Sequence, residues 1–491
     1  MIRSVLQIFY PLALFFVSLC ASAAPPNVIL ILTDDLGWGD LSVFKHPYIQ
    51  TPNLDRMAAG GTVFNQFYVA SPVCSPSRAA FQTGQFPARQ SIHTAFGPKM
   101  VRDKVMPAFL DPYLGQISHS VKKNGYTTAH YGKWHLSGAP KSYDNEVPNP
   151  SHYGFDDFKT YHTYFQDVER EHHFVRGGDI HYRAKSSQNI INEVLIFMEK
   201  NQGTPVYINA WTLVPHATLN PTPEQLAVYD HIEPDPGDFP SYMKEYLESI
   251  PQEELKARMQ IYCAAVSALD AAIGHLLDGI KTMGEEENTL IFFTSDNGPE
   301  DVYSQRVKGG VGSPGSFRGR KRSIYEGGVR TAAIAYWPGT IPAGNVNDVS
   351  VIAAVDWFPT ICALTGSSND ESEFDGEDIS DILMGSTRQR TRPLFWEWRF
   401  GVRGPDSYSP PQLSIRDGDW KLFMNPDGSR LELYNIPRDP QERLSVESKY
   451  PDVVKEMSKA LLEWKKSLPD QVSDSSYVHE HDAKPYSHEK R

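Results

Sequence analysis

Residues 27–35, with the sequence NVILILTDD, are the most informative stretch for the fold of this chain. Asn27–Thr33 is an uninterrupted apolar run with several β-branched residues, as expected of a strand that is buried on both faces of a parallel sheet. The run ends directly in Asp34 and Asp35. A buried strand that leads into two carboxylates predicts an α/β domain with a ligand site at the carboxyl end of that strand.

Three further segments repeat this pattern of a strand followed by polar residues. The predicted strands are Thr127–Tyr131, Pro205–Trp211 and Thr289–Thr294. The polar residues that follow them are Lys133 and His135, then His216, then Asp296 and Asn297. Because parallel strands end at the same edge of a sheet, we expect all these side chains to lie together although they are far apart in sequence.

Amphipathic helices separate the predicted strands. Ile191–Lys200 and Arg258–Ile280 each place apolar residues on one helical face. Strands that alternate with helices predict an α/β fold with a large, doubly wound, mixed but mostly parallel sheet flanked by helices.

The pattern changes after about residue 370. Three short antiparallel strands are predicted at Gln412–Arg416, Trp420–Met424 and Leu431–Asn435, followed by an amphipathic helix at Pro451–Ser467. We therefore divide the chain into an α/β domain at 24–370, which contains the predicted ligand site, and a small C-terminal α+β subdomain with an antiparallel sheet at 371–470. A polar tail occupies 471–491.

The composition excludes several classes of protein. The chain has 491 residues and carries 60 acidic against 47 basic residues, for a formal net charge of −13. Nucleic-acid binders carry excess Lys and Arg, so nucleic acid is not expected as a partner. A hydrophobic content of 40% argues against intrinsic disorder. Only 4 Cys in a chain of this length exclude a small disulfide-stapled scaffold.

The first 23 residues have the features of an export signal. A basic start precedes an apolar run from about Phe9 to Cys20, and 21–23 form an A-x-A cleavage site. The alternative is a lipoprotein lipidated at Cys20, but Leu19 is large where a small residue is expected. No further run of about 18 apolar residues follows this segment, so an integral membrane protein is not expected. Without any N-x-Ser/Thr acceptor site in which x is not Pro, the sequence favours bacterial export to the periplasm or the medium.

Cleavage of the signal would leave an odd number of cysteines, at 74, 263 and 362. Cys263 and Cys362 are either buried thiols or the two halves of one disulfide. Cys74 begins the string CSPSR and precedes a predicted helix, where backbone N–H groups favour anions. A single cysteine is by itself more often a small buried hydrophobic residue.

The wider context of Cys74 suggests a chemical role. Residues 74–84 have the pattern C-S-P-S-R-x-x-x-x-T-G, which resembles the signature of the formylglycine-dependent (type I) sulfatases of the alkaline phosphatase superfamily. Further blocks resemble the same family in the same order, over about 27–467: NVILILTDDLGWGD, TPNLDRMAAGGTVFNQFY, GYTTAHYGKWHL, VPH, TLIFFTSDNG, FRGRKRSIYEGGVR, DWFPTICALTG and RDGDWKLF. The departures, at Gln85 and at Ala217–Thr218, concern substrate preference. The resemblance implies an alkaline-phosphatase-like fold.

The resemblance also implies two cofactors. A formylglycine-generating maturation enzyme would oxidise Cys74 to Cα-formylglycine, and a Ca²⁺ ion would lie beside it. Hard oxygen ligands suit Ca²⁺, and Asp-Asp and Asp-Asn clusters after two apolar strands favour a metal over ordinary turns. The expected metal ligands are Asp34, Asp35, Cys74, Asp296 and Asn297.

The family resemblance assigns a role to each remaining site residue. Arg78 and Lys133 would hold the formylglycine. His135 would be the base that restores the aldehyde, and His216 the acid that protonates the leaving alcohol. Lys321 would bind the sulfuryl group, while its neighbours Arg320 and Arg322 are expected to be solvated.

The resemblance predicts a sulfatase that hydrolyses sulfate monoesters on a sulfated polysaccharide or oligosaccharide. A local surplus of Lys and Arg between Glu300 and Arg330 suits a polyanionic ligand. The His- and aromatic-rich segment His162–His181 suits a carbohydrate. Candidate pocket-wall residues are Arg89, His93, Trp211 and Arg399. The alternatives are a phosphonate or phosphate ester hydrolase of the same superfamily and a glycan-binding relative without activity.

Overall fold

The computed structural model describes residues 24–97, 106–138, 148–161, 172–174, 177–301, 309–368 and 374–469. The predicted signal segment, the polar tail and the proposed domain boundary at 370 lie outside the described residues, as does most of the His162–His181 segment.

The strands are assigned as follows. They are β1 (Asn27–Asp34), β2 (Thr62–Tyr68), β3 (Thr127–Lys133), β4 (Asp157–Tyr161), β5 (Val206–Pro215), β6 (Thr289–Ser295), β7 (Arg330–Tyr336), β8 (Asn345–Asn347), β9 (Ile352–Ala353), β10 (Leu394–Glu397), β11 (Leu413–Asp417), β12 (Trp420–Met424) and β13 (Glu432–Asn435).

The α-helices connect and cover these strands. They are α1 (Pro52–Ala59), α2 (Cys74–Thr83), α3 (Ile117–Lys123), α4 (Ser186–Lys200), α5 (Pro223–Ala227), α6 (Ser241–Glu248), α7 (Gln252–Met283), α8 (Glu326–Val329), α9 (Trp357–Thr365), α10 (Ser380–Leu383) and α11 (Pro451–Ser467).

The larger sheet has 9 strands in the order β4-β3-β5-β1-β6-β7-β2-β8, with β9 paired to β2. β1 lies between β5 and β6 and runs parallel to both. All of β1 is buried, which explains its uninterrupted apolar sequence. β7 is antiparallel to β6 and to β2, so the sheet is mixed but mostly parallel. This architecture confirms the predicted fold class.

The smaller sheet has 4 antiparallel strands in the order β10-β11-β12-β13. It contains the three C-terminal strands predicted from sequence, together with β10. α11 packs on it through Met457, Leu461 and Trp464, which are buried. The Trp464 and Phe395 rings stack with their centroids 4.9 Å apart, joining the helix to β10.

Helix α7 belongs to the core of the protein. In the described part of the chain it is the one helix long and apolar enough to cross a membrane, but 67% of its most apolar window is buried inside the fold. It carries Cys263, whereas Cys362 lies in α9, and both are buried free thiols. The structure therefore has two buried thiols at these positions and no disulfide between them.

Candidate active site

The site is built around the carboxyl ends of β1 and β6. These neighbouring strands are parallel, and Thr33 pairs with Ser295 at their ends. The residues that follow are therefore brought together: Asn297 Nδ2 donates a 2.7 Å hydrogen bond to Asp35 Oδ1, and the backbone N–H of Asp35 donates a 3.2 Å hydrogen bond to Asp296 Oδ1. Asp34, Asp35, Asp296 and Asn297 are all buried.

Cys74 lies beside these oxygens as the first residue of α2. Pro76 is tolerated there because the first helical turn needs no N–H donor, and Gly84 ends the helix with a φ of +67°. Ligand atoms of Cys74, Asp34 and Asp296 all lie within 4.8 Å of one another. The Cys74 side chain is thus at a helix N-terminus and among metal-type ligands at the same time.

His135 faces the same cysteine. Its Nδ1 lies 3.2 Å from Cys74 Sγ, and its Nε2 lies 3.3 Å from the carbonyl oxygen of Phe96. A carbonyl can only accept, so Nε2 carries the proton and Nδ1 presents a lone pair to residue 74. Burial is the main cause that lowers the pKa of His135 well below its usual value, and Lys133 and Arg78 add to it.

Three buried cations neutralise the three carboxylates. Arg78 contacts Asp296 Oδ2 through Nε at 2.9 Å and Nη2 at 2.7 Å. Lys133 Nζ lies 2.7 Å from Asp34 Oδ2, and Lys321 Nζ lies 2.6 Å from Asp35 Oδ2. Such close pairing offsets much of the cost of burying six charges.

His216 completes the cluster after the carboxyl end of β5. Its Nδ1 donates to the Ala217 carbonyl at 2.6 Å, and its Nε2 lies 3.8 Å from Asp35 Oδ2. Burial lowers the pKa of His216 to about 4, although Asp34 and Asp35 favour its protonated form. All strand-end clusters predicted from sequence therefore meet in one place.

The oxygen groups fit a hard cation. Asn297 Oδ1 is buried and accepts no hydrogen bond from the described residues. Burial raises the pKa of Asp296, Arg78 opposes this shift, and the adjacent Asp34 carboxylate adds to it. Burial also acts against ionised Asp34, but Lys133, His216 and Arg78 hold its pKa well below the usual value. Carboxylates that share a buried position in this way are typical of a divalent-cation site.

Two neighbours of Lys321 were placed incorrectly by the sequence analysis. Arg320 is only 2% exposed and donates to the Glu300 carbonyl at 2.9 Å, so its prediction as a solvated residue is wrong. Arg322 is mostly buried and lies 3.2 Å from both Glu300 Oε2 and Asp301 Oδ2. Glu300 Oε2 also lies 3.4 Å from Lys321 Nζ. The two carboxylates that pair with Arg322, Glu300 and Asp301, come shortly after the Asp296–Gly298 motif, and this position could have indicated them.

The local surplus of basic residues does not form an open cationic surface among the described residues. Its members there contact other groups of the chain: Arg318 with Tyr325, Arg320 and Arg322 as above, and Arg330 with Glu326. Two further members, at 306 and 308, lie outside the described residues. The surplus therefore gives less support to a polyanionic ligand than the sequence suggested.

The four candidate wall residues are also more enclosed than expected. Trp211 is fully buried, and the guanidinium carbon of Arg78 lies 5.1 Å from its ring centroid, so it supports the floor of the site. Arg89 forms an ion pair with Asp375 at 2.7 Å. His93 and Arg399 are buried around Glu397. A contact that sequence reasoning missed altogether is the Phe96 carbonyl on His135, since a backbone group leaves no side-chain signal.

Comparison with protein-family models gives two matches. The model described as "Sulfatase" matches residues 26–367. The model described as "N-sulphoglucosamine sulphohydrolase, C-terminal" matches residues 315–467. The two matches together span both sheets.

Comparison with curated proteins gives relatives that align with most of this chain. The chain is 33% identical over 394 residues to N-acetylgalactosamine-6-sulfatase of Rattus norvegicus, covering 76% of this chain and 68% of the relative. It is 29% identical over 435 residues to arylsulfatase A of Bos taurus, covering 86% and 80%.

Among solved structures, Ps i-CgsB superposes with a TM-score of 0.69 at 24% identity, covering 94% of this chain and 98% of the other. The phosphonate monoester hydrolase of Agrobacterium radiobacter superposes with a TM-score of 0.64 at 20% identity, covering 90% and 95%. At these identities the two superpositions establish a shared fold.

Proposed function

This chain belongs to the sulfatase family and is a sulfuric ester hydrolase, and on that premise we propose that it removes sulfate from a sulfated carbohydrate. We further propose that residue 74 acts as formylglycine, that Ca²⁺ is its metal, and that the protein is exported. The observation that carries the proposal is the position of Cys74, which is within 4.8 Å of Asp34 and Asp296 ligand atoms and 3.2 Å from His135 Nδ1.

The proposed cofactors would supply chemistry that unmodified side chains lack. Asp34, Asp35, Asp296 and Asn297, together with residue 74, would hold Ca²⁺, whose charge lowers the pKa of a bound hydroxyl and offsets negative charge on a sulfuryl group. Formylglycine in its hydrated form supplies two hydroxyls on one carbon, one for attack on sulfur and one for restoring the aldehyde.

The protein's own side chains would position residue 74 and remove its proton. Arg78 reaches the Asp296 carboxylate and also donates to the Lys133 carbonyl at 3.1 Å, so it ties α2 to the end of β3. His135 presents the lone pair of Nδ1 towards residue 74 and is placed to accept a proton there.

His216 and Lys321 both lie beside the carboxylate of Asp35. The ammonium of Lys321 can bind a sulfuryl oxygen, because a buried cation stabilises the charge that develops during ester cleavage. His216 Nε2 faces the same region and is placed to protonate the leaving alcohol. Its depressed pKa makes the imidazolium a strong proton donor once it is formed.

A curated relative supports the substrate class, and a structural neighbour with the same fold acts on a sulfated sugar. N-acetylgalactosamine-6-sulfatase is named for a sulfated sugar, and the structure of another neighbour contains its substrate D-glucosamine-2-N,6-O-disulfate. That neighbour has a TM-score of 0.63 and 22% identity, so it supports the fold and leaves the identity of the sugar open to experiment.

The decisive experiment uses the chain produced with and without a formylglycine-generating enzyme. Mass spectrometry of the peptide around residue 74 reports the conversion, and sulfate release is measured on a panel of defined sulfated oligosaccharides. We expect release only from converted protein, with Cys74→Ala and Cys74→Ser both inactive when the converting enzyme acts on cysteine alone. Full activity of an unconverted residue 74 would refute the formylglycine proposal.

Assays of the same converted protein distinguish a sulfatase from the two alternative functions. Faster turnover of an aryl phosphonate than of an aryl sulfate would favour the phosphonate hydrolase. Converted protein that binds sulfated glycans but releases no sulfate would favour a binding protein.

The proposal that the protein is exported rests on the sequence of residues 1–23. We expect mature protein that starts near Ala24 in the periplasm or medium of a bacterial host. N-terminal sequencing of fractionated protein tests this, and a lipidated Cys20 in the membrane fraction would favour the lipoprotein alternative.

A further inference from the structure

A buried carboxylate joins the C-terminal sheet to the loop that follows α2. Glu397, the last residue of β10, has a side chain that is 1% exposed. Its Oε2 lies 3.3 Å from His93 Nδ1 and 3.5 Å from Arg399 Nη2, and its Oε1 lies 3.1 Å from Lys465 Nζ on α11. Glu397 therefore connects two elements of the subdomain to a loop of the α/β domain.

Burial lowers the pKa of His93, so this imidazole acts mainly as a hydrogen-bond donor, and its hydrogen bond and the charges of Arg399 and Lys465 stabilise the Glu397 carboxylate in its ionised form. Burial alone would raise the pKa of Glu397, but His93, Arg399 and Lys465 together lower it to about 2. A buried charge that is paired in this way holds its partners in fixed positions, because moving them apart leaves it uncompensated. His93, itself 4% exposed, is thereby fixed at the base of its loop.

The loop that carries His93 reaches the reactive residues three positions later. The Phe96 backbone N–H donates a 3.0 Å hydrogen bond to Ser75 Oγ, next to Cys74. The Phe96 carbonyl accepts from His135 Nε2 at 3.3 Å. One peptide segment thus contacts both the start of α2 and the imidazole that faces residue 74.

The Phe96 carbonyl determines which tautomer His135 adopts. Donation from Nε2 leaves Nδ1 unprotonated at 3.2 Å from Cys74 Sγ. His135 also has a φ of +53°, which is uncommon for a residue with a side chain and must be held by its surroundings. The orientation of this imidazole therefore depends on where the 93–96 segment is anchored.

We propose that Glu397 is a positioning residue for His135, acting through His93 and the Phe96 carbonyl, so that the C-terminal sheet completes the catalytic site. The inference rests on the proposed role of His135 in sulfate ester hydrolysis. It gives the subdomain a part in the reaction through a chain of contacts that ends at the imidazole of His135.

A double-mutant cycle tests the dependence on His135. We expect Glu397→Gln, in fully converted protein, to lower kcat about 10- to 100-fold with little change in KM, as when partners that orient a catalytic group are removed. In a His135→Ala background the same substitution should change kcat by less than about twofold, because its effect is then already lost. Glu463→Gln on α11, with a side chain that is 68% exposed, is the matched control and should leave kcat unchanged. Equal losses in both backgrounds would overturn the proposal.

A second measurement is independent of turnover. Nitrogen chemical shifts of ¹⁵N-labelled His135 in Cys74→Ala protein report the tautomer directly. We expect protonated Nε2 in the parent and a mixture of tautomers after Glu397→Gln, or after Lys465→Met if the glutamine variant does not fold. If the tautomer of His135 is unchanged, the positioning role of Glu397 is overturned, whether or not the protein has sulfatase activity. If the tautomer changes but no turnover is found, the result counts against the proposed function alone.

Discussion

Lys321 Nζ lies 2.6 Å from Asp35 Oδ2 and 3.4 Å from Glu300 Oε2, so one buried ammonium connects the end of β1 to the segment that follows β6. Burial alone would lower the pKa of Lys321, but Asp35 and Glu300 raise it above its ordinary value. The lysine therefore keeps its charge across the whole range of working pH. A permanently charged, fixed cation is suited to stabilising the negative charge of a sulfate ester during cleavage.

We expect Lys321→Met to lower kcat/KM on an aryl sulfate by about 10²- to 10³-fold, because one preorganised charge contact is lost at the reacting group. Lys321→Arg should restore little of this activity, since a planar guanidinium does not replace a compact ammonium. The measurement compares proteins with equal formylglycine content. Lys459→Met, at a position whose side chain is 76% exposed, provides the control. A loss below threefold would remove Lys321 from the catalytic group.

Calcium is expected to stabilise the folded chain. A ligand that binds only the folded state adds about 2.7 kcal/mol at a concentration 100 times its Kd. The thermal midpoint should thus rise with added Ca²⁺ and fall with a chelator. Asn297→Ala removes an oxygen that has no hydrogen-bond donor among the described residues, so the calcium-dependent shift should shrink. The exposed Asp278→Asn should retain it. Equal shifts in both variants would place the ion elsewhere.

The strands that end in polar clusters were predictable because burial on both faces leaves a continuous apolar run. β1 and β6 match their predicted ranges within one residue. β5 continues four residues beyond Trp211, to Pro215, because the backbone stays extended into the site. The antiparallel direction of β7 had no sequence signal, since it depends on β7 starting at the same edge of the sheet at which β6 ends.

The residues of the site also include some that the sequence could predict and some that it could not. Asp34 and His216 could be identified because each lies at the end of a predicted strand, and Cys74 because it begins the string CSPSR. Arg320 could not be placed, since a run of basic residues looks solvated until the Glu300 carbonyl that it contacts is known. The Phe96 carbonyl could not be found at all, because any residue type provides the same backbone oxygen.

Removing the charge of Lys421 should destabilise the junction between the two sheets. Lys421 Nζ lies 2.8 Å from Glu326 Oε1 and 3.1 Å from Glu442 Oε1, and all three side chains are 0% exposed. Lys421→Met would leave two buried carboxylates without this cation, at a cost of about 3–5 kcal/mol in the free energy of unfolding. Denaturant titration measures this cost, with Lys459→Met again as the control. A loss below about 1 kcal/mol would show that the carboxylates become protonated or find other partners.

His46 should make the stability of the protein depend on pH. Its Nδ1 accepts hydrogen bonds from the backbone N–H groups of Ile49 at 3.0 Å and Tyr48 at 3.2 Å, which requires a neutral ring. Burial lowers the pKa of this imidazole to about 3 in the folded chain. An unfolded histidine has a pKa of about 6.5, so below that pH the unfolded state binds a proton that the folded state does not. Stability should therefore fall as the pH drops from about 6.5 towards 3, with a slope of up to about 1.4 kcal/mol per pH unit from this residue.

The variant His46→Asn isolates this contribution, because asparagine keeps an acceptor oxygen but does not titrate. Between pH 7 and pH 5 we expect the free energy of unfolding of the unsubstituted protein to fall by about 2 kcal/mol more than that of the variant. All other histidines are common to both proteins, so their effects cancel in the difference. Denaturant titrations at the two pH values measure it. Parallel losses in the two proteins would mean that His46 takes up a proton in the folded state as readily as in the unfolded one.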